Sequence, residues 1–222
     1  MKRYKLLNPD RTTHNDTHWP IGQWVETKGD PNQGLCSDGW LHCYDSPELA
    51  LFLNPIHANI SDPIVCEVET RGKSLNDKGL KRGYRKMRIV RDLGIKQPTI
   101  GQCVRFAILC AKQVYKDTDW NLWADKWLSG EDRTNAAAHV AADAVYNAVD
   151  AANAAADAVY NAVDAADAAN AAAHAAVYNA VDAAAYNAVD AAYAAAYAAA
   201  DAAANTPINL VEIAKQAMKE EL

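Results

Sequence analysis

Ile64-Val65-Cys66-Glu67-Val68-Glu69 alternates apolar and acidic residues, the signature of a β-strand with one face buried and the other in water. Several short elements surround it. Tyr4-Lys5-Leu6-Leu7 reads as a strand closed by Asn8-Pro9-Asp10, and Ile21 to Thr27 as a second, before the Gly29-Asp30-Pro31-Asn32 loop. Trp40-Leu41-His42-Cys43-Tyr44 reads as a third. Asp45-Ser46-Pro47-Glu48 has the chemistry of a helix start: a capping oxygen, Pro in the first turn and an acid at the positive helix end. That helix should run to about Phe52 and stop before Pro55, and Met87-Arg88-Ile89-Val90 supplies a last strand. Residues 1–98 are therefore expected to form an α+β head domain, a small antiparallel sheet plus a helix.

Pro98 marks a change of period. Ile100, Val104, Ala107, Ile108, Ala111 and Val114 recur at helical spacing. Trp120, Trp123 and Trp127 share one face of a second helix that Ser129-Gly130 ends. Residues 99–133 read as a helical connector with a Trp face, 134–205 as an Ala-rich repeat and 206–222 as a C-terminal amphipathic helix that Asn209 caps. The second half is expected to be all-α.

In the repeat, more than half of residues 136–204 are alanine, with no Gly and no Pro. The unit Ala-Val-Tyr-Asn-Ala-Val-Asp-Ala-Ala starts at 144, 158 and 176, with a close copy at 184. The separations lie near whole numbers of helical turns. On a helical wheel Tyr146, Tyr160, Tyr178, Tyr186, Tyr193 and Tyr197 fall in one stripe, with valines beside it. Asp143, Asp150, Asp157, Asp164, Asp182 and Asp190 belong to the acidic residues, most of which lie on the far flank of that stripe. The segment reads either as one helix of about 105 Å or as a folded stack. These tyrosines and aspartates are the candidate partner-binding residues, because Tyr offers large contact area and a polar tip. Mimicry of nucleic acid fits poorly: eight aspartates over ~105 Å are far sparser than the one charge per ~1.7 Å of duplex DNA.

Charge is as uneven as composition. The formal net charge is −6, yet Arg71 to Lys96 holds ten basic residues against Asp77 and Asp92. Between Arg133 and Lys215 there is no Lys or Arg at all. Lys81, Arg82, Tyr84, Arg85, Lys86 and Arg88 form a candidate phosphate or nucleic-acid patch, weighed against a solvated loop or a dock for an acidic arm. His42 and Tyr44 are candidates for a ligand pocket. Neighbours on a strand face opposite ways, so His42 and Cys43 do not suit one metal ion, and no C-x-x-C pair exists. No metal, cofactor or catalytic residue is expected. His14 and His18 are taken as loop residues. Five cysteines at irregular positions suggest a reducing compartment, and neither a membrane span nor a secretory leader is legible.

Tyr4-Lys5 with Asn8-Pro9-Asp10, Leu35-Cys36, Gly39, His42-Cys43, Cys66-Glu67-Val68-Glu69 with Gly72, and Lys86 with Arg88-Ile89-Val90-Arg91 and Leu93 resemble an uncharacterised family of phage and prophage proteins over about residues 4–94. The resemblance implies phage origin and no particular activity. Arg105-Phe106-Ala107, Cys110-Ala111 and Val114, with the Trp helix and the Ala-rich run, resemble immunity proteins of bacterial toxin systems. Gly39 to Tyr44, Ser46-Pro47 and Ala50, followed by Val65 to Val68, are similar to a strand–helix–strand half of ADP-ribosyltransferases, without that family's first-strand His-Gly or its catalytic Glu.

These features give three expectations. The first is a non-enzymatic phage protein of the host bacterial cytoplasm that binds and blocks a bacterial host protein or ribonucleoprotein complex, such as a defence nuclease, CRISPR effector or toxin. The second is a degenerate ADP-ribosyltransferase-like nucleotide-binding protein or transferase. The third is a structural homo-oligomer assembled through the Ala-rich helices. Nucleic acid is a less favoured partner, and no membrane is implied.

Overall fold

A computed structural model of the chain describes residues 2–134 and 208–219. The Ala-rich repeat, with all the candidate partner-binding tyrosines and aspartates, lies outside the described residues. The chain divides into two compact units, Met1–Gln97 and Pro98–Leu222.

The first unit is α+β. Its strands are β1 (Arg3–Leu7), β2 (Thr12–Thr13), β3 (Thr17–His18), β4 (Trp24–Glu26), β5 (Leu41–Cys43), β6 (Ile64–Asp77) and β7 (Lys81–Asp92), with helices α1 (Pro47–Phe52) and α2 (Asn54–His57) between β5 and β6. The main sheet runs β1-β6-β7-β4, and β5 also pairs with β7. All of its strand pairs are antiparallel. Beyond β5, Tyr44 bridges Tyr4 of β1, with N–H···O bonds of 2.8 and 3.0 Å. Strands β1, β6, β7 and β5 thus close on themselves.

The long β6–β7 hairpin is the largest departure from the sequence expectation, which has strands only at 64–69 and 87–90. Cross-strand charge pairing explains it: Glu69 opposes Arg88 and Glu67 opposes Arg91, so charged positions stabilise the pair instead of signalling a loop. A bulge lies between Arg71 and Ser74, where Gly72 takes φ +90°. The hairpin turns through Lys78 and Gly79, both left-handed, with φ of 45° and 87°. Expected strand 21–27 contracts to Trp24–Glu26, and Pro55 does not stop helical structure but sits in the first turn of α2. His14 and His18, expected as loop residues, lie in a small hairpin of β2 with β3 around a 3-10 turn.

Leu7, Trp19, Cys43, Cys66, Val68, Met87 and Ile89 make the buried cluster of the sheet. Helix α1 starts where Ser46 accepts from the Leu49 N–H at 3.0 Å, and it buries Leu49, Ala50, Leu51 and Phe52.

The described part of the second unit is helical: α3 (Ile100–Val114), α4 (Thr118–Ser129) and α5 (Leu210–Met218). Each is capped by its own sequence. Thr99 and Gln102 form a capping box, Asp117 accepts from Trp120 N–H, Asn209 from Glu212 N–H, and Gly130 at φ 82° ends α4. Trp120, Trp123 and Trp127 are all buried. Arg105 Nη1 donates to Leu128 O at 3.1 Å, joining α3 to α4, and Gln102 Nε2 donates to Met218 O at 3.1 Å, joining α3 to α5. Among the described residues no helix is long and apolar enough to cross a membrane.

Candidate functional site

Strand β7 carries most of the cations that the sequence singles out, and its neighbours decide what they do. Lys81, Gly83 and Arg85 are spaced two apart, the period that puts side chains on one side of a strand. All three meet the loop between Thr27 and Trp40. Arg85 donates from Nη1 to Gly29 O at 2.6 Å and Gly39 O at 3.0 Å, and from Nη2 to Thr27 O at 3.4 Å. A Cβ on Gly83 would lie 2.3 Å from Leu35 Cδ1 and 3.0 Å from Trp40 Cβ, so a larger residue would push Leu35 aside where the loop seats. Lys81, 8% exposed, places Nζ 3.2 Å from Cys36 Sγ. The loop neck is equally tight, since a Cβ on Gly39 would stand 2.2 Å from Asp30 O.

The remaining patch residues are also engaged within the head. Arg82 Nε reaches both Asp45 carboxylate oxygens, at 2.8 and 2.9 Å, and Asp45 also lies 3.3 Å from Arg3 Nε. Lys86 pairs with Glu26 at 3.0 Å and Arg88 with Glu69 at 2.7 Å. Tyr84 packs beside the core cluster. The expected patch is therefore brought together on one strand, with each of its five cations on an internal partner.

His42 and Tyr44 lie two apart at the end of β5, on either side of buried Cys43. His42 Nε2 donates to Leu35 O at 2.5 Å, which fixes the ring beneath the loop. Burial, with a smaller effect from Lys5 and Lys81, holds the imidazole below its usual pKa. Tyr44 stacks on His57 with ring centroids 5.8 Å apart. Burial, reinforced by Lys81 and His42, lowers the His57 pKa to about 3. A cavity of about 520 Å³ opens elsewhere, with Trp24, Tyr84, Arg3, Arg71, Glu67 and Glu69 in its wall and neither His42 nor Tyr44. Arg71 and Arg88 stack on the Trp24 ring, at 4.4 and 4.9 Å from its centroid.

Sequence reasoning missed the most unusual cation of the head. Lys5 is buried, donates to His42 O at 3.0 Å and sits 4.4 Å from the centre of the Trp19 ring. Burial lowers its pKa to about 8, against the opposing pull of Cys43 and Cys66. A lysine inside the strand Tyr4–Leu7 was the available signal. The contacts of Trp24, Arg71 and Asp45 are not legible because each is isolated in sequence from its partners. Among the described residues no group of three or more His, Cys, Asp or Glu could hold a metal ion, and all five cysteines are free.

Residues 1–100 match the family model for a domain of unknown function, DUF7666. The match spans the sheet, both head helices and the clamped loop, and it agrees with the resemblance to an uncharacterised family over residues 4–94. No curated protein and no solved structure matches the chain.

Proposed function

We propose that this chain is a phage-type, non-enzymatic binding protein that blocks a bacterial macromolecular partner, a defence nuclease, CRISPR effector or toxin, through the Tyr, Val and Asp stripes of its Ala-rich repeat. The observation that carries this reading is phase. Alanine alone would satisfy a helix, yet the tyrosines from Tyr146 to Tyr197 keep one stripe across uneven spacings. A preserved stripe serves a surface, and Tyr suits a recognition surface.

One feature of the described residues supports it. The cations of β7 are engaged within the head, which leaves the basic strand little free charge to offer a phosphate backbone. The resemblances to phage and toxin-immunity proteins supply the setting, a bacterial host cytoplasm.

The test compares the full chain with a Tyr146→Ser, Tyr160→Ser, Tyr178→Ser variant, each immobilised and exposed to bacterial lysate. A specific partner should be recovered at least about tenfold less by the variant. Equal recovery by both ends this reading. Light scattering on the full chain separates it from a structural homo-oligomer, for which mass would rise with concentration.

A second reading draws on the cavity at Trp24. Trp24, Arg3 and Arg71 are all in its wall, and an aromatic ring with cationic side chains suits a nucleotide. Calorimetric titration with NAD decides it: heat that disappears in Trp24→Ala supports a nucleotide-binding head, and absence of heat removes it.

A further inference from the structure

Four of the five cysteines are buried in the two units: Cys43, Cys66, Cys103 and Cys110. Burial pushes the Cys43 and Cys103 thiols up to about 12 and Cys66 up to about 11, and raises Cys110 as well, so these sulfurs are poor nucleophiles. Cys36 differs. It is exposed on the clamped loop, open to small oxidants. It also has an amine beside it. Lys81 is 8% exposed, and among the described residues its one hydrogen-bond partner is the Cys36 sulfur, 3.2 Å from Nζ. A buried lysine ordinarily ends on a carboxylate or on several oxygens. Here β7 holds it against a thiol from a residue 45 positions away in sequence.

We propose that Cys36 and Lys81 are an oxidative cross-linking site, at which peroxide converts the thiol–amine pair into a covalent sulfur–nitrogen bond. In the first step the Cys36 sulfur attacks one peroxide oxygen, the O–O bond breaks, and the products are a sulfenic acid and water. In the second, Lys81 releases one proton to solvent and its nitrogen lone pair attacks the same sulfur. The S–N bond forms, the S–O bond breaks, and hydroxide leaves with a second amine proton as water. Sulfur is oxidised and peroxide is reduced, and a thiol later reverses the bond by attack at sulfur. Proximity makes this outcome competitive: the amine is already at reacting distance, whereas a second peroxide must arrive by diffusion. The product would fasten the Gly29–Gly39 loop covalently to β7, in addition to the Arg85 and His42 clamps.

The experiment treats the full chain with dilute hydrogen peroxide, digests it with a protease that cuts after lysine, and maps the peptides by mass spectrometry. The expected result is a peptide pair joined through residues 36 and 81, lighter by two hydrogens than the separate reduced peptides, uncut after Lys81 and released by dithiothreitol. Cys36→Ser should give no such pair. Lys81→Arg should leave the same thiol reactive but carry it on to the sulfinic acid. The proposal is overturned by a wild-type chain in which Cys36 ends as a sulfinic or sulfonic acid, or as a disulfide, while cleavage after Lys81 stays complete.

Discussion

In the head, one arginine reaches three loop carbonyls, a lysine meets a thiol and a histidine donates to a backbone oxygen, so that Arg85, Lys81 and His42 hold a loop that has little apolar surface of its own. In the helical unit, Trp120, Trp123 and Trp127 are buried on one face of α4, and the helix ends are closed by Thr99, Asp117, Asn209 and Gly130. The loop of the head is fixed by polar contacts between residues far apart in sequence, and the helices largely by local caps and apolar periodicity. Charge therefore carries a different meaning in each. On β7 it is largely structural.

The two kinds of construction should answer differently to mutation. Removing a fully buried ring from the helical unit is the most costly change: Trp120→Ala should lower the unfolding free energy of the full chain by about 3–5 kcal/mol, measured by denaturant titration. A loss below about 1 kcal/mol would mean that the Trp face is not a core. In the head, Arg85→Met leaves the carbonyls of Thr27, Gly29 and Gly39 without their charged donor and should cost about 2–4 kcal/mol. Proteolysis should then cut first inside 29–39. If that loop stays protected, the clamp is not what seats it.

A pH scan probes the head separately. His57 has a folded pKa lowered to about 3 from 6.5, and that of His42 is lowered too. Between those values the unfolded chain binds the proton that the folded chain refuses. Stability contributed by the neutral ring is thus complete above pH 6.5 and declines as pH falls toward about 3, by at most about 1.4 kcal/mol per pH unit for each proton. His57→Gln should flatten the slope, and an unchanged slope would assign it to other groups. The smallest effect belongs to the exposed pairs: Lys86→Ala, which breaks the pair with Glu26, should change stability by less than about 0.5 kcal/mol.

How much was legible follows the same division. The described helices, the caps at Gly130 and Asn209 and the Trp face could be read because period and capping chemistry lie within one segment. Strands β1 and β5 and helix α1 were legible for similar reasons. Of the β6–β7 hairpin only the stretches 64–69 and 87–90 were legible: the rest carries charged residues, and the partners Glu26, Glu67 and Glu69 of its cations lie 19 or more residues away. The loop clamp was equally hidden, since nothing in Gly83 or Arg85 alone points to residues 27–40. His42 was singled out for a ligand pocket, and its ring is spent on Leu35 O.

The claim that the basic strand is committed to the fold, leaving recognition to other parts of the chain, is tested most directly by titrating the full protein with duplex DNA and single-stranded RNA across a salt series around 0.15 M. The account predicts no binding beyond weak, non-specific association, and no difference between the wild-type chain and an Arg82→Ala, Lys86→Ala, Arg88→Ala variant. Tight, steeply salt-dependent binding that this variant abolishes would contradict it.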